Sequence, residues 1–168
     1  MNEQIKRLKD MYQNAILMLE SVGFIHGPLE GMRQLRDILD EEPERGTSDE
    51  EFERWQGAAA QKLGEVYFVG IPGILAPDPL RAHYYFIMSW GCRNSDSYLW
   101  MARMYAALGD DYHAAMFFKA AVDKNCDVDN YAASQIEKMR KAGKNVDIEL
   151  CEMYPELQER DTLAKIYN

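Results

Sequence analysis

Two stretches of this chain repeat one code of small and aromatic residues at helical spacing, and no other feature constrains the fold as tightly. Leu63, Gly64 and Tyr67 are followed by Ala82, Phe86 and Ser89. Met101, Ala102 and Tyr105 are followed by Ala114, Phe118 and Ala121. The later positions of each unit are offset by 32 residues and the earlier ones by 38, the extra six falling in a Gly- and Pro-bearing stretch at 70–77. Steps of three and four belong to one face of a helix. A small residue lets two helices of a pair approach, while Tyr67, Tyr105, Phe86 and Phe118 are expected to fill the space between neighbouring pairs. A single pair cannot bury its apolar face alone, so such pairs stack.

The rest of the chain is also helical in period. Ile5, Leu8, Tyr12, Ala15, Ile16 and Leu19 form a first stripe, with Gly23 as its expected stop. A second helix follows Pro28, with Met32, Leu35, Ile38 and Leu39 on its apolar side. Residues 40–51 hold seven acidic side chains and one basic one, broken by Pro43 and Gly46. That stretch reads as a solvated loop, or alternatively as an acidic surface for a basic partner. Ser48 and Glu51 have capping-box spacing for the next helix, whose stripe is Phe52, Trp55, Ala59, Leu63, Val66 and Tyr67. Further helices are expected from Arg81 to Trp90 with Gly91 as stop, from a cap at Ser95 or Asp96 to about Leu108, from Tyr112 to Lys124, and from Asn130 to Ala142. The tail holds a segment from Val146 to Tyr154, a break at Pro155 and a short last helix through Ile166. No strand is expected.

The second unit resembles a tetratricopeptide (TPR) repeat at Met101, Ala102, Tyr105, Ala114, Phe118 and Ala121. The first is more similar to a Sel1-like repeat, through Leu63-Gly64, Tyr67, Gly70, Gly73-Ile74, Asp78 and Ala82. The match covers about residues 57–127. A third unit near Asn130, with Ala132, Ile136, Met139 and Gly143, departs from the pattern and reads as a degenerate or capping unit. The fold class expected is all-α: an α-solenoid of antiparallel helix pairs. The single domain 1–168 divides into N-terminal helices at 1–45, two repeats at 49–127, and a degenerate repeat with a cap at 128–168. The resemblance implies a scaffold that binds peptides or protein surfaces on a concave face lined by the first helix of each pair. In this register that face carries Gln61, Glu65 and Phe68, then Leu99, Trp100 and Arg103, then Asn130, Ala133 and Glu137. Large aromatics and Arg are the residue types enriched at binding hot spots. The competing expectation buries Trp100 as core beneath the N-terminal helices.

Chemistry is sparsely signalled. The chain has 168 residues, 19 basic against 28 acidic, and a net charge of −9. That balance disfavours phosphate backbones and anionic lipid. No apolar run approaches the ~18 residues of a membrane span, and the start of the chain lacks the apolar stretch of a signal peptide. Cytoplasmic localisation is the expectation. Cys92, Cys126 and Cys151 show no C-x-x-C spacing, and His26, His83 and His113 are scattered, so neither a metal site nor a disulfide framework is expected. Cys92 with His83 remains as a conceivable nucleophile pair, with inert buried thiols the commoner state. The motif at 70–73 has no phosphate-loop Lys, and Asp127-x-Asp129 lacks the rest of a calcium loop.

These readings converge on a non-catalytic protein-interaction protein, without cofactor or metal, whose partner is a protein. The narrowest form is a bacterial immunity or inhibitor protein against a cognate toxin or effector, steered by acidic charge. The alternatives are a type III-secretion-like chaperone or adaptor holding a peptide segment in its groove, and an enzyme with an unrecognised site.

Overall fold

The computed structural model describes residues 2–21 and 26–150. Among them are seven helices: α1 (Glu3–Leu19), α2 (His26–Asp40), α3 (Asp49–Val69), α4 (Pro79–Gly91), α5 (Ser97–Ala107), α6 (Asp111–Asp123) and α7 (Tyr131–Lys141). The described part of the protein is all-α, its β content limited to one antiparallel bridge between Ile71 and Leu75. No described helix is long and apolar enough to cross a membrane.

Local chemistry sets the helix ends. The Asn2, Ser48, Asp78 and Asp110 side chains accept from backbone N–H groups of the first turns of α1, α3, α4 and α6. Pro79 then occupies the first turn of α4, where its missing N–H costs nothing. This helix starts two residues before the expected Arg81. Gly91 is its last residue rather than its stop, and the chain turns instead at Arg93, with φ 59°. The expected cap of α5 is corrected too. Asp96 is helical in conformation and makes no side-chain cap, because Asn94 does that work: its Oδ1 accepts the Asp96 N–H and its carbonyl accepts the Ser97 hydroxyl. Gly109 and Gly143 turn the chain after α5 and α7 with φ of 78° and 77°. Residues 144–150 carry no helix, yet Val146 and Ile148 are buried, and Lys119–Glu149 and Lys144–Asp111 ion pairs hold the segment to α6. Gly23, and the tail beyond residue 150 with Pro155 and the expected last helix, lie outside the described residues.

Each helix packs on its neighbours in the chain. The closest associations are α1 with α2, α3 with α4 and α5 with α6. Between these pairs α2 meets α3, α4 meets α5 and α6 meets α7, and the leading helices α1, α3 and α5 also touch. The expected small positions are where the helices close. Ala82, Ala102 and Ala114 have no exposed surface, and a Cβ on Gly64 would stand 2.5 Å from the Phe86 ring. The aromatics divide their roles in a way the sequence reading did not foresee. Tyr67 stacks on Tyr85 within its own pair, 5.4 Å between centroids. Phe86 covers Gly64 and then stacks on Trp100 of the next pair. Tyr105 stacks on Phe117 in its own pair and reaches back to His83.

The acidic loop between α2 and α3 is held down. Gln4 is fully buried. Its amide donates to the Glu41 carboxylate and the Glu42 carbonyl, and its oxygen accepts the Glu44 N–H and the Thr47 hydroxyl. Arg7 pairs with both Glu41 and Glu44 at 2.8 Å.

Candidate partner-binding face

The helical repeat puts Gln61, Glu65 and Phe68 on one side of α3, and Trp100 and Arg103 on one side of α5. Packing of α3 against α5 joins the two. Phe68 meets the Trp100 ring edge-on, 6.1 Å between centroids. Trp100 lies flat on buried Phe86, 5.6 Å away at 16°. The Arg103 guanidinium sits 4.7 Å from the Trp100 centroid and 5.4 Å from that of Tyr131, at the start of α7. Tyr131 in turn sets its ring against Phe118, 5.9 Å away. The outcome is a row of aromatic, cation and aromatic groups running from α3 through α5 to α7. Phe68 and Trp100 are half-buried, and Arg103 and Tyr131 are exposed. A guanidinium over an indole face at an exposed site contributes about 0.5–1 kcal/mol, enough to hold the row in register while its outer surface stays available.

The same side of α3 continues into a polar cleft of about 1040 Å³. Tyr12 of α1, side chains of α3 from Asp49 to Glu65, and the α4–α5 turn at 92–96 form its walls. Asp49, Glu50, Glu53, Glu65 and Asp96 line it against Arg54, Lys62 and Arg93. Gln61 crosses the cleft floor, accepting from Asn94 Nδ2 at 2.6 Å and donating to Glu65 at 3.1 Å. Lys62 pairs with Glu65 at 3.3 Å. Tyr12 packs on Trp55 with 5.6 Å between centroids, and burial, followed by the charge of Glu65, raises its phenol above the ordinary range. The cleft therefore presents a net negative, hydrogen-bonding surface beside an aromatic row.

The structure places the expected residues in three groups. Gln61 and Glu65 line the cleft, whereas Phe68, Trp100 and Arg103 form the row. The others stand apart. Leu99 is half-buried and packs against the core. Asn130 and Ala133 are exposed at the start of α7, Asn130 with φ 55°. Glu137 is exposed further along and pairs with Arg140 and Lys141. Trp100 is half-buried, though not beneath the N-terminal helices. One ring face is packed, but the packing group is Phe86 of α4; the N-terminal pair instead meets α3, where Tyr12 covers Trp55. Sequence reasoning missed Tyr131, Tyr12, Arg54 and Arg93. Tyr131 is one residue after Asn130, so a register read one step later in the third unit would have found it.

Among the groups weighed for chemistry, His83 is committed elsewhere. Its Nε2 is 2.8 Å from the Tyr105 hydroxyl in a buried contact, and burial lowers its pKa to about 4. Cys92 instead lines the cleft, against Gly57. The Cys126 Sγ donates to the Lys124 carbonyl, and Cys151 lies outside the described residues. Asp110 holds His113 Nδ1 at 2.6 Å. The described residues contain no group of three or more His, Cys, Asp or Glu side chains that could hold a metal ion. No protein-family model matches this chain, and no curated protein or solved structure matches it either.

Proposed function

We propose that this chain is a non-catalytic protein-binding protein. Its helix pairs, Sel1-like in α3–α4 and TPR-like in α5–α6, stack as an α-solenoid whose leading helices α3, α5 and α7 present the binding face. The observation that carries this reading is the row Phe68, Trp100, Arg103 and Tyr131, which offers aromatic and guanidinium surface from three helices. Side chains of these types in partly desolvated positions dominate binding energies. In its most specific form the protein is a bacterial immunity or inhibitor protein that covers a cationic toxin or effector in the cytoplasm. The acidic cleft beside the row and the net charge of −9 support this reading, since such a field speeds encounter with a basic partner. A secretion-chaperone reading is favoured by a different feature: the row draws on three successive units, from α3 through α5 to α7, as a groove for an extended peptide segment would.

Capture of the partner from a native lysate, followed by limited proteolysis of the complex, separates the two. An inhibitor leaves its partner compact and resistant, with the partner's activity suppressed. A chaperone leaves a segment protected within a partner that is otherwise cleaved. Failure to recover any stoichiometric partner contradicts both readings.

A further inference from the structure

Arg103 is the only charged residue of α5. The positions three and four residues away on either side are Leu99, Trp100, Ala106 and Ala107, so its own helix offers it no carboxylate. Other exposed arginines differ. Arg33 pairs with Glu30 and Asp37, Arg140 with Glu137, and Arg7 with Glu41 and Glu44. Among the described residues no carboxylate forms an ion pair with Arg103, whose contacts are the rings of Trp100 and Tyr131. Glu65 and Glu137, which border the row, are engaged by Lys62 and by Arg140 and Lys141. A ring contact uses the flat face of a guanidinium and leaves the N–H donors along its edge available. The two rings also restrain the side chain, so less rotamer freedom is lost when a partner arrives. The surface around it is apolar. Phe68 lies at one end, and Tyr131 with the exposed Val128 at the other, the Tyr131 N–H donating to the Val128 carbonyl at 3.1 Å. Covering such a surface lowers the local dielectric and strengthens an ion pair formed within it.

We infer that the row recognises a partner segment carrying one Asp or Glu side chain between apolar residues, with Arg103 as the fork that takes the carboxylate. A guanidinium matches a carboxylate in bidentate geometry, and such a pair is roughly twice as strong as a neutral hydrogen bond. A lone cation beside an acidic cleft also fixes one register for a partner whose other charges are basic. Such recognition rests on the row being the binding surface, and adds which chemistry that surface selects.

The test is titration of the full chain with acetyl-Phe-Glu-Leu-amide, with its uncharged isostere acetyl-Phe-Gln-Leu-amide, and with acetyl-Phe-Gln-Leu bearing a free terminal carboxylate. The Trp100 indole N–H resonance in NMR is the readout. The Glu peptide should give saturable shifts and bind at least about tenfold more tightly than the Gln amide. Arg103→Gln should bring the Glu peptide down to the affinity of the Gln amide. Equal affinities for these two peptides in the wild type, or no saturable shift with the Glu peptide, overturn the inference. So does an undiminished preference for the Glu peptide in Arg103→Gln. Tighter binding of the free-carboxylate peptide than of the Glu peptide moves recognition from a side chain to a chain end, and overturns it as well. Should the variant fail to fold, the wild-type comparison among the three peptides decides the matter. The binding surface itself stands or falls separately, on whether a partner that the wild type retains from lysate is lost by Tyr131→Ala.

Discussion

Single residues carry two separable stresses. Gly64 exists for a close approach, since any Cβ there would enter the Phe86 ring. Gly64→Ala should destabilise the protein by about 1–3 kcal/mol, measured as a lower urea midpoint at unchanged m-value. An unchanged midpoint would mean the helices can separate at no cost. His83 carries the other stress. Burial first, and then the charge of His113, lower its pKa from 6.5 to about 4, with Asp110 pulling the other way. The unfolded chain therefore takes up a proton near pH 6.5 that the folded chain refuses until near pH 4. Stability is complete above that window and falls as pH drops through it, by at most about 3 kcal/mol at a rate of ~1.4 kcal/mol per unit. His83→Gln should remove this part of the slope in denaturation curves taken from pH 7 to pH 4, and an identical slope in the variant would assign it to the carboxylates. Gly64 was legible in the sequence because it recurs as Ala102 in the second unit. Gly57, seven residues before Gly64 and packed against Cys92, was not, because nothing echoes it.

At the scale of elements, helices with a repeated stripe were readable, and their ends were readable where Pro, Gly or a short polar side chain dictates one conformation. Asp78-Pro79 and Gly109 are such places. The α4–α5 turn misled because the cap there comes from Asn94, through contacts that only the folded turn creates. The acidic loop was ambiguous for the same reason. Its charge is plain in sequence, but Gln4 and Arg7, some 40 residues away, anchor it. Gln4→Ala removes four hydrogen bonds made from a buried position and should cost about 2 kcal/mol, with faster amide exchange at Glu44 and Thr47. Exchange unaltered at those two positions would show that the Arg7 ion pairs alone fix the loop. The anchoring also narrows the loop's part in steering. Glu41 and Glu44 are occupied by Arg7, whereas Glu42, with the cleft acids Asp49, Glu50 and Glu53, faces outward. Replacing Glu42, Glu50 and Glu53 by Gln should slow association with a basic partner and flatten its salt dependence, visible in stopped-flow traces; an unaffected on-rate would remove charge steering from the account.

For the whole molecule, the helices pack in chain order, α1 also touches α3 and α3 touches α5, and α7 packs on α6. The all-α architecture followed from period alone. Register placed Phe68 of the first unit beside Trp100 and Arg103 of the second but left Leu99 against the core, and in the third unit, where the repeat code fades, the residue that meets Arg103 is Tyr131 rather than Asn130. Partner identity leaves no trace in period or register, since binding surfaces are chosen by the partner's shape. Trp100 and Phe68 are imperfect probes of the face because both also pack inward. Arg103 and Tyr131 are better, being exposed. The decisive measurement is therefore affinity capture by wild type and by an Arg103→Glu, Tyr131→Ala double variant, with circular dichroism confirming equal helix content. The α3–α5–α7 face predicts that the wild type retains a stoichiometric partner and the folded double variant loses it. Equal retention by both would place binding elsewhere on the protein and contradict the account.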